Sequence, residues 1–132
     1  MKALLLLIIF YFSLSFSFAQ TQLEMDSIQS NNFVKADSEL NHMYQRILND
    51  YKDDTAFVKN LVASEKIWIQ FRDAEMKMKY PDRKPGYYGT VQPMCWSIYL
   101  TRLTLDRIAT LNIWLEGIDE GDVCAGSVRV KE

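Results

Sequence analysis

All three prolines of the sequence and two of its five glycines fall in one stretch, Tyr80-Pro81-Asp82-Arg83-Lys84-Pro85-Gly86-Tyr87-Tyr88-Gly89-Thr90-Val91-Gln92-Pro93. Proline lacks the amide donor that helices and central strands use, so residues this dense in Pro and Gly form a loop. The flanks of that loop are free of both breakers and carry helical periodicity. Upstream, Phe33, Ala36, Leu40, Met43, Ile47 and Tyr51 recur at steps of three and four, predicting a first helix over Ser30–Tyr51. The polar connector Lys52-Asp53-Asp54-Thr55 ends it and offers Asp54 or Thr55 as a cap for the next helix. A second helix is predicted over Thr55–Tyr80, with Phe57, Leu61, Ser64, Trp68, Phe71 and Glu75 on its stripe. The third is predicted over Met94–Glu116, with Met94, Ile98, Thr101, Leu105, Ile108, Leu111 and Leu115. Each stripe is one-sided and must be buried against a partner. The fold expected is therefore all-α: a small antiparallel three-helix bundle with a long loop between helices 2 and 3 and an extended C-terminal tail over residues 117–132.

The N-terminus carries a different signal. Lys2 precedes an apolar run from Ala3 to Phe12, and Ser17-Phe18-Ala19 places small residues at the −3 and −1 positions. This is the pattern of a secretory signal peptide over residues 1–19. Gln20 rather than Cys follows the cut, which disfavours a lipid anchor. Residues 20–132 then form a single domain, its core at about 30–116, exported to the periplasm or the exterior. No later run approaches the roughly 18 apolar residues a membrane-spanning helix needs, so no transmembrane anchor is expected in the mature protein. At 48% hydrophobic and 24% charged residues, the chain is neither disordered nor fibrous. Its net charge of −2 becomes one unit more negative once Lys2 is removed, which excludes a strongly basic nucleic-acid binder.

The residue inventory leaves little for catalysis. Glu39-Leu40-Asn41-His42 reads Glu-x-x-His, half of a carboxylate di-metal motif, but no second copy exists and His42 is the sole histidine. Zinc sites want three or four closely spaced Cys or His ligands, so neither a metal nor a cofactor is expected. Gly-x-Ser-x-Gly, phosphate-cradling glycines and a Cys–His pair are all missing, and no enzyme is read from the sequence. Two cysteines remain, Cys95 and Cys124. An even pair in an exported chain points to a disulfide. Closing it requires the tail to run back, nearly straight, along the third helix to the proline-rich loop.

Two polar clusters stand where apolar residues were due. Asp37, Asn41 and Tyr44 border the Leu40 stripe of the first helix, and Trp68 and Arg72 lie four apart on the second, beside Asp73 and Glu75. Arg72 is expected to fork onto Asp37 or Asn41 across the helix pair, with a buried Trp68 over its stem. That makes a structural network, for which a binding or catalytic site is the rival reading.

These same residues carry a likeness. Ala36-Asp37-Ser38-Glu39-Leu40-Asn41-His42-Met43-Tyr44 resembles the A-D-x-E-L-N-x-x-Y opening of the LprI-like lysozyme-inhibitor domain family. Ser64-Glu65-Lys66-Ile67-Trp68-Ile69-Gln70-Phe71-Arg72-Asp73-Ala74-Glu75 resembles its second signature, A-Q-R-x-W-x-x-F-R-D-A-E, with Glu65 in place of Gln and Lys66 in place of Arg. Cys95 matches a cysteine near the start of the third helix, and Arg107 with Leu111 an R-x-x-x-L. Met76 stands where many relatives carry the cysteine after R-D-A-E, which leaves Cys124 as the remaining partner for Cys95. The resemblance implies a bacterial envelope protein that inhibits lysozyme by protein–protein binding. The alternative is a non-inhibitory envelope module that binds another ligand or serves structure. Lysozymes are typically cationic, so the acidic tail residues Glu116, Asp119, Glu120 and Asp122 are candidate contacts that would steer encounter. Tyr87 and Tyr88, held among Pro85, Gly86, Gly89 and Pro93, are the other candidates, because rigid amphipathic rings on a turn suit recognition.

Overall fold

The computed structural model describes the backbone of residues 2–131 and the side chains of residues 21–131. The leader expected at residues 1–19 is a reading of side chains, which there lie outside the described residues. Among the described residues four helices follow one another: α1 (Lys2–Asp50), α2 (Thr55–Lys79), α3 (Gln92–Leu111) and the single turn α4 (Ile113–Glu116). Among the described residues there is no strand, only an isolated bridge between Ile118 and Val130. The fold is the all-α three-helix bundle that the periodicity predicts, with α4 continuing α3 past a break at Asn112.

Local chemistry sets the ends. The Asp54 carboxylate accepts from the Phe57 amide at 2.9 Å, satisfying one orphan donor at the start of α2. Lys77 and Lys79 occupy its last turn, where positive charge complements the helix dipole. Pro81 then stops it. Pro93 lies in the first turn of α3, where its missing amide costs nothing. α1 begins well before Ser30, and no Pro or Gly interrupts it between Thr21 and Gln29. Its early turns are tied down by Gln22, whose Nε2 donates to the Thr90 carbonyl at 2.5 Å.

α1 and α3 run parallel and pack along their length, while α2 runs antiparallel to both and lies against α3. Leu40 and Ile47 from α1, Tyr51 just after it, Leu61 from α2, and Ile108 and Leu111 from α3 form the buried core. Ile47 and Thr104 are fully buried, and the Thr104 hydroxyl donates back to the Leu100 carbonyl at 2.9 Å. Two stripes differ from expectation. On α2, Phe71 is 52% exposed and Ser64 is exposed, whereas Glu65 and Met76 are buried. On α3, Ile98 and Leu105 are exposed and Thr104 takes the inner position. Following apolar residues alone shifts each stripe by one, because polar side chains with partners occupy inward positions here.

The tail corrects a larger expectation. At Gly117 the backbone adopts φ +74°, and a Cβ there would lie 2.8 Å from the Arg129 carbonyl oxygen, so only glycine fits. The chain reverses and closes on itself: the Ile118 amide donates to the Arg129 carbonyl at 3.0 Å, and the Lys131 amide to Ile118 at 2.8 Å. This hook is fastened to the junction of α1 and α2. The Arg129 guanidinium lies 4.1 Å over the Tyr51 ring and donates to the Asp50 carbonyl, and the Arg129 amide donates to the Tyr51 hydroxyl. The tail therefore does not run back along the bundle. Cys124 stays with the hook, while Cys95 sits at the other end of α3, about 24 Å from Leu111 at 1.5 Å per residue. The expected disulfide is absent and both thiols are free, Cys95 half-buried and Cys124 exposed. Met76, where relatives carry a cysteine, is a buried packing residue instead. Intact protein alkylated without reductant should gain two adducts, Cys124 faster than Cys95, and thiol reductant should leave its melting temperature unchanged. A mass two units lower with no adduct would restore the disulfide.

Candidate functional site

Two polar regions remain after the core is accounted for: the network between the helices and the tip of the loop joining α2 to α3. The network begins in the signature residues. Asn41 Nδ2 donates to the Asp37 carbonyl at 2.9 Å and to its carboxylate at 3.2 Å, one turn back on α1. Arg72 reaches the Asp37 carboxylate from α2 at 3.7 Å, so Asp37, not Asn41, is its cross-helix partner. Its closer bonds go to its neighbour Asp73, at 3.0 and 3.1 Å. Trp68 is half-buried rather than fully enclosed and stands between two guanidinium groups, Arg72 at 5.4 Å and Arg107 at 5.8 Å from its ring.

The strongest pair in this network lies one turn further toward α4. Arg107 on α3 bonds Glu65 on α2 through Nη2 at 2.8 Å and Nε at 2.9 Å, and Nη2 also donates to the Ser64 hydroxyl. Both side chains are only 11% exposed. Burial, and then the Glu65 carboxylate, hold the Tyr44 phenol above its ordinary value. These groups satisfy one another, and no free nucleophile or base emerges from them, so the network ties three helices together. Arg72→Ala should cost about 1–2 kcal/mol in urea unfolding, since the Asp37 side chain is 40% exposed and half-exposed pairs contribute little beyond the packing of the Arg stem. A loss near 4 kcal/mol would contradict that.

A groove of about 430 Å³ opens beside this network between α2 and α3, walled by Phe57, Leu61, Leu111 and Trp114. Most of its polar lining is already engaged: Asp54 caps α2, Ser64 and Arg107 bond each other, and Ser127 accepts from the Trp114 indole at 3.1 Å. Among the described residues, no cluster of three or more His, Cys, Asp or Glu could hold a metal. Nor is any helix there long and apolar enough to cross a membrane.

The loop is built as a scaffolded tip. The Tyr87 amide donates to the Lys84 carbonyl at 3.1 Å, closing a turn with Pro85 and Gly86 at its centre. Gly86 has φ +82°, as a type II turn requires after proline. A second turn follows, with the Gly89 amide on the Gly86 carbonyl at 3.0 Å. Tyr88 folds back: its hydroxyl donates to the Pro81 carbonyl at 2.7 Å and its ring stands edge-on to Tyr80, which packs on Trp96. Burial, with smaller contributions from Cys95 and Tyr99, raises the Tyr80 phenol above its ordinary value. Tyr87 does the opposite. It rests edge-on against Tyr88 at 4.9 Å and is 67% exposed. Of the two tyrosines singled out in the sequence, one is a strut and the other a presented ring. The acidic candidates Glu116, Asp119, Glu120 and Asp122 lie with the hook at the far end of the bundle, and Asp119 pairs with Lys131 at 3.0 Å. The two candidate contact segments do not form one surface.

The bundle thus links its signature polar residues between helices and presents one exposed aromatic ring on a turn. Comparison with known proteins places it: residues 17–111 match the family described as Lysozyme inhibitor LprI, and the chain belongs to that family. The matched region includes the loop and ends with α3, before α4 and the hook. No curated protein and no solved structure matches the chain.

Proposed function

We propose that this protein inhibits a lysozyme by protein–protein contact, acting outside the cytoplasm, with the tip of the loop between α2 and α3 as the contact element and no chemistry of its own. Membership of an inhibitor family supports the partner. The observation that carries the contact is Tyr87, exposed on a turn whose every flank is fixed: Tyr88 on Pro81, Tyr80 on Trp96, Thr90 on Gln22. A prebuilt turn loses little entropy on docking, and a ring presented this way suits a central anchor. The acidic tail residues lie with the hook at the far end of the bundle, outside a contact made by the tip.

The test is lysis of a cell-wall suspension by lysozyme with and without the mature protein. At micromolar protein the rate should fall. Tyr87→Ala should weaken inhibition about tenfold, equivalent to about 1.4 kcal/mol. Neutralising Glu116, Asp119, Glu120 and Asp122 together should change it less than threefold. Undiminished lysis with every lysozyme class tried would leave the alternative, an envelope module with another ligand.

A further inference from the structure

Within its overall acidity the molecule carries one basic segment beside the loop. The segment Lys77-Met78-Lys79-Tyr80-Pro81-Asp82-Arg83-Lys84 holds four cations and one carboxylate, all at the tip end, while the acidic residues of the tail gather at the hook. The cations at the tip are not equivalent. Lys79 lies over the Tyr99 ring at 3.6 Å and near Tyr80 at 5.8 Å, and Arg83 lies over Tyr87 at 5.8 Å. Lys84 is exposed and, among the described residues, makes neither an ion pair nor a cation–π contact. It is also the first residue of the turn that Tyr87 closes. Residues one and four of a β-turn have Cα atoms within about 7 Å of each other. One exposed ammonium and one exposed ring are thus carried by the two ends of a single tight turn.

We propose that the Lys84–Tyr87 turn is a wedge for a glycosidase cleft, with the Lys84 ammonium set against the pair of catalytic carboxylates and the Tyr87 ring against the adjoining sugar-binding wall. This rests on the reading of the protein as a lysozyme inhibitor and names what its contact element recognises. Glycosidases place two Asp or Glu carboxyls across the scissile bond, about 5 to 10 Å apart in a concave cleft. That is a local anionic site on a protein whose net charge is positive. The complement to it is a small, convex, cationic point on a protein whose remaining surface is acidic, which is the distribution seen here. The acidic hook lies further from the tip than the roughly 8 Å over which exposed charges act at physiological ionic strength, so it neither assists nor opposes docking at the cleft. Pro85 fixes φ at the second position of the turn and Gly86 accommodates the positive φ at the third, and a pre-formed turn binds at a smaller ordering cost.

The experiment is steady-state inhibition with purified lysozyme and a soluble chito-oligosaccharide, using the mature chain and its variants. Inhibition should be competitive with the oligosaccharide. Lys84→Ala should raise the inhibition constant at least tenfold and Lys84→Glu at least a hundredfold, while Lys77→Ala, also at the basic end but outside the turn, should change it less than twofold. Helical circular dichroism should be unaltered in all three, because neither lysine has a packing partner to lose. Gly86→Ala, which strains the turn and leaves its charge intact, should weaken inhibition as well. Wild-type inhibition that is non-competitive, or that survives Lys84→Glu within twofold, would overturn the wedge and leave the inhibitor reading standing. No inhibition by the wild type would overturn both.

Discussion

Arg107→Ala is expected to destabilise the folded domain by about 3–5 kcal/mol, as removal of one partner from a buried pair does. The pair it breaks is the most enclosed electrostatic contact among the described residues, with Arg107 and Glu65 each 11% exposed and joined at 2.8 and 2.9 Å. Removing the guanidinium leaves the Glu65 carboxylate buried without its partner, near the Tyr44 phenol whose pKa it raises, and strips one cation from the Trp68 ring. Small domains are stable by only about 5–15 kcal/mol, so the loss is a large share of the total. Two controls separate the unpaired charge from lost packing. Glu65→Gln should cost less than Arg107→Ala, because it keeps an acceptor for the guanidinium. The double replacement Glu65→Leu with Arg107→Met should recover most of the loss, since buried pairs exchanged for apolar residues of similar volume are often neutral. Urea unfolding followed by circular dichroism measures all three. Additive losses in the double replacement would mean that the two residues do not act as a pair.

Tyr51→Ala is the second large effect, at about 3–5 kcal/mol, the range for truncating a buried aromatic residue. Tyr51 is 3% exposed at the junction where four segments meet. Its ring lies 4.6 Å from Phe57 of α2, its hydroxyl donates to the Trp114 carbonyl of α4 at 3.1 Å, and Arg129 of the hook stacks on its outer face. Tyr51→Phe keeps the ring and should cost only about 0.5–1.5 kcal/mol, the net worth of an ordinary hydrogen bond. It should also loosen the hook selectively, because the Arg129 amide loses its acceptor. Amide exchange at Arg129 and Lys131 should then quicken while exchange in α1 and α3 stays slow. Uniform quickening across the domain would assign Tyr51 to the core alone.

The architecture was legible in the sequence because the prolines cluster in one place and the apolar residues repeat at helical steps. The position of Asp54 as a cap and the stop at Pro81 follow from chemistry acting within a few residues. What periodicity could not supply was the face presented where two helices exchange charges. Reading Phe71 inward and Glu65 outward follows the general preference for buried carbon, and it fails where Arg107 waits on another helix. The signal was present, though not in the stripe. Glu65 and Arg107 are oppositely charged positions within matched family motifs, and Glu65 is one of the two departures from the usual residues. The disulfide expectation failed for a related reason. Chain length allowed Cys124 to reach Cys95, but Gly117, Arg129 and Tyr51 close the tail locally, and no count of residues reveals that. Of the two loop tyrosines, composition could nominate both, whereas only the Tyr88 bond to Pro81 tells strut from presented ring.

The parallel contact of α1 with α3 governs the order in which this chain can acquire structure. The first helix to be synthesised finds its principal neighbour last: Tyr51, just past α1, and Trp114, in α4 just past α3, meet at the end of that contact and are 63 positions apart. α1 and α2 alone form a hairpin that lacks Ile108 and Leu111, so the N-terminal half cannot complete a core while the rest is still being made. Closing so long a segment before any packing repays it slows folding. A nascent chain halted before α3 should therefore remain protease-sensitive, and protection should arrive in one step once Leu111 is free to dock.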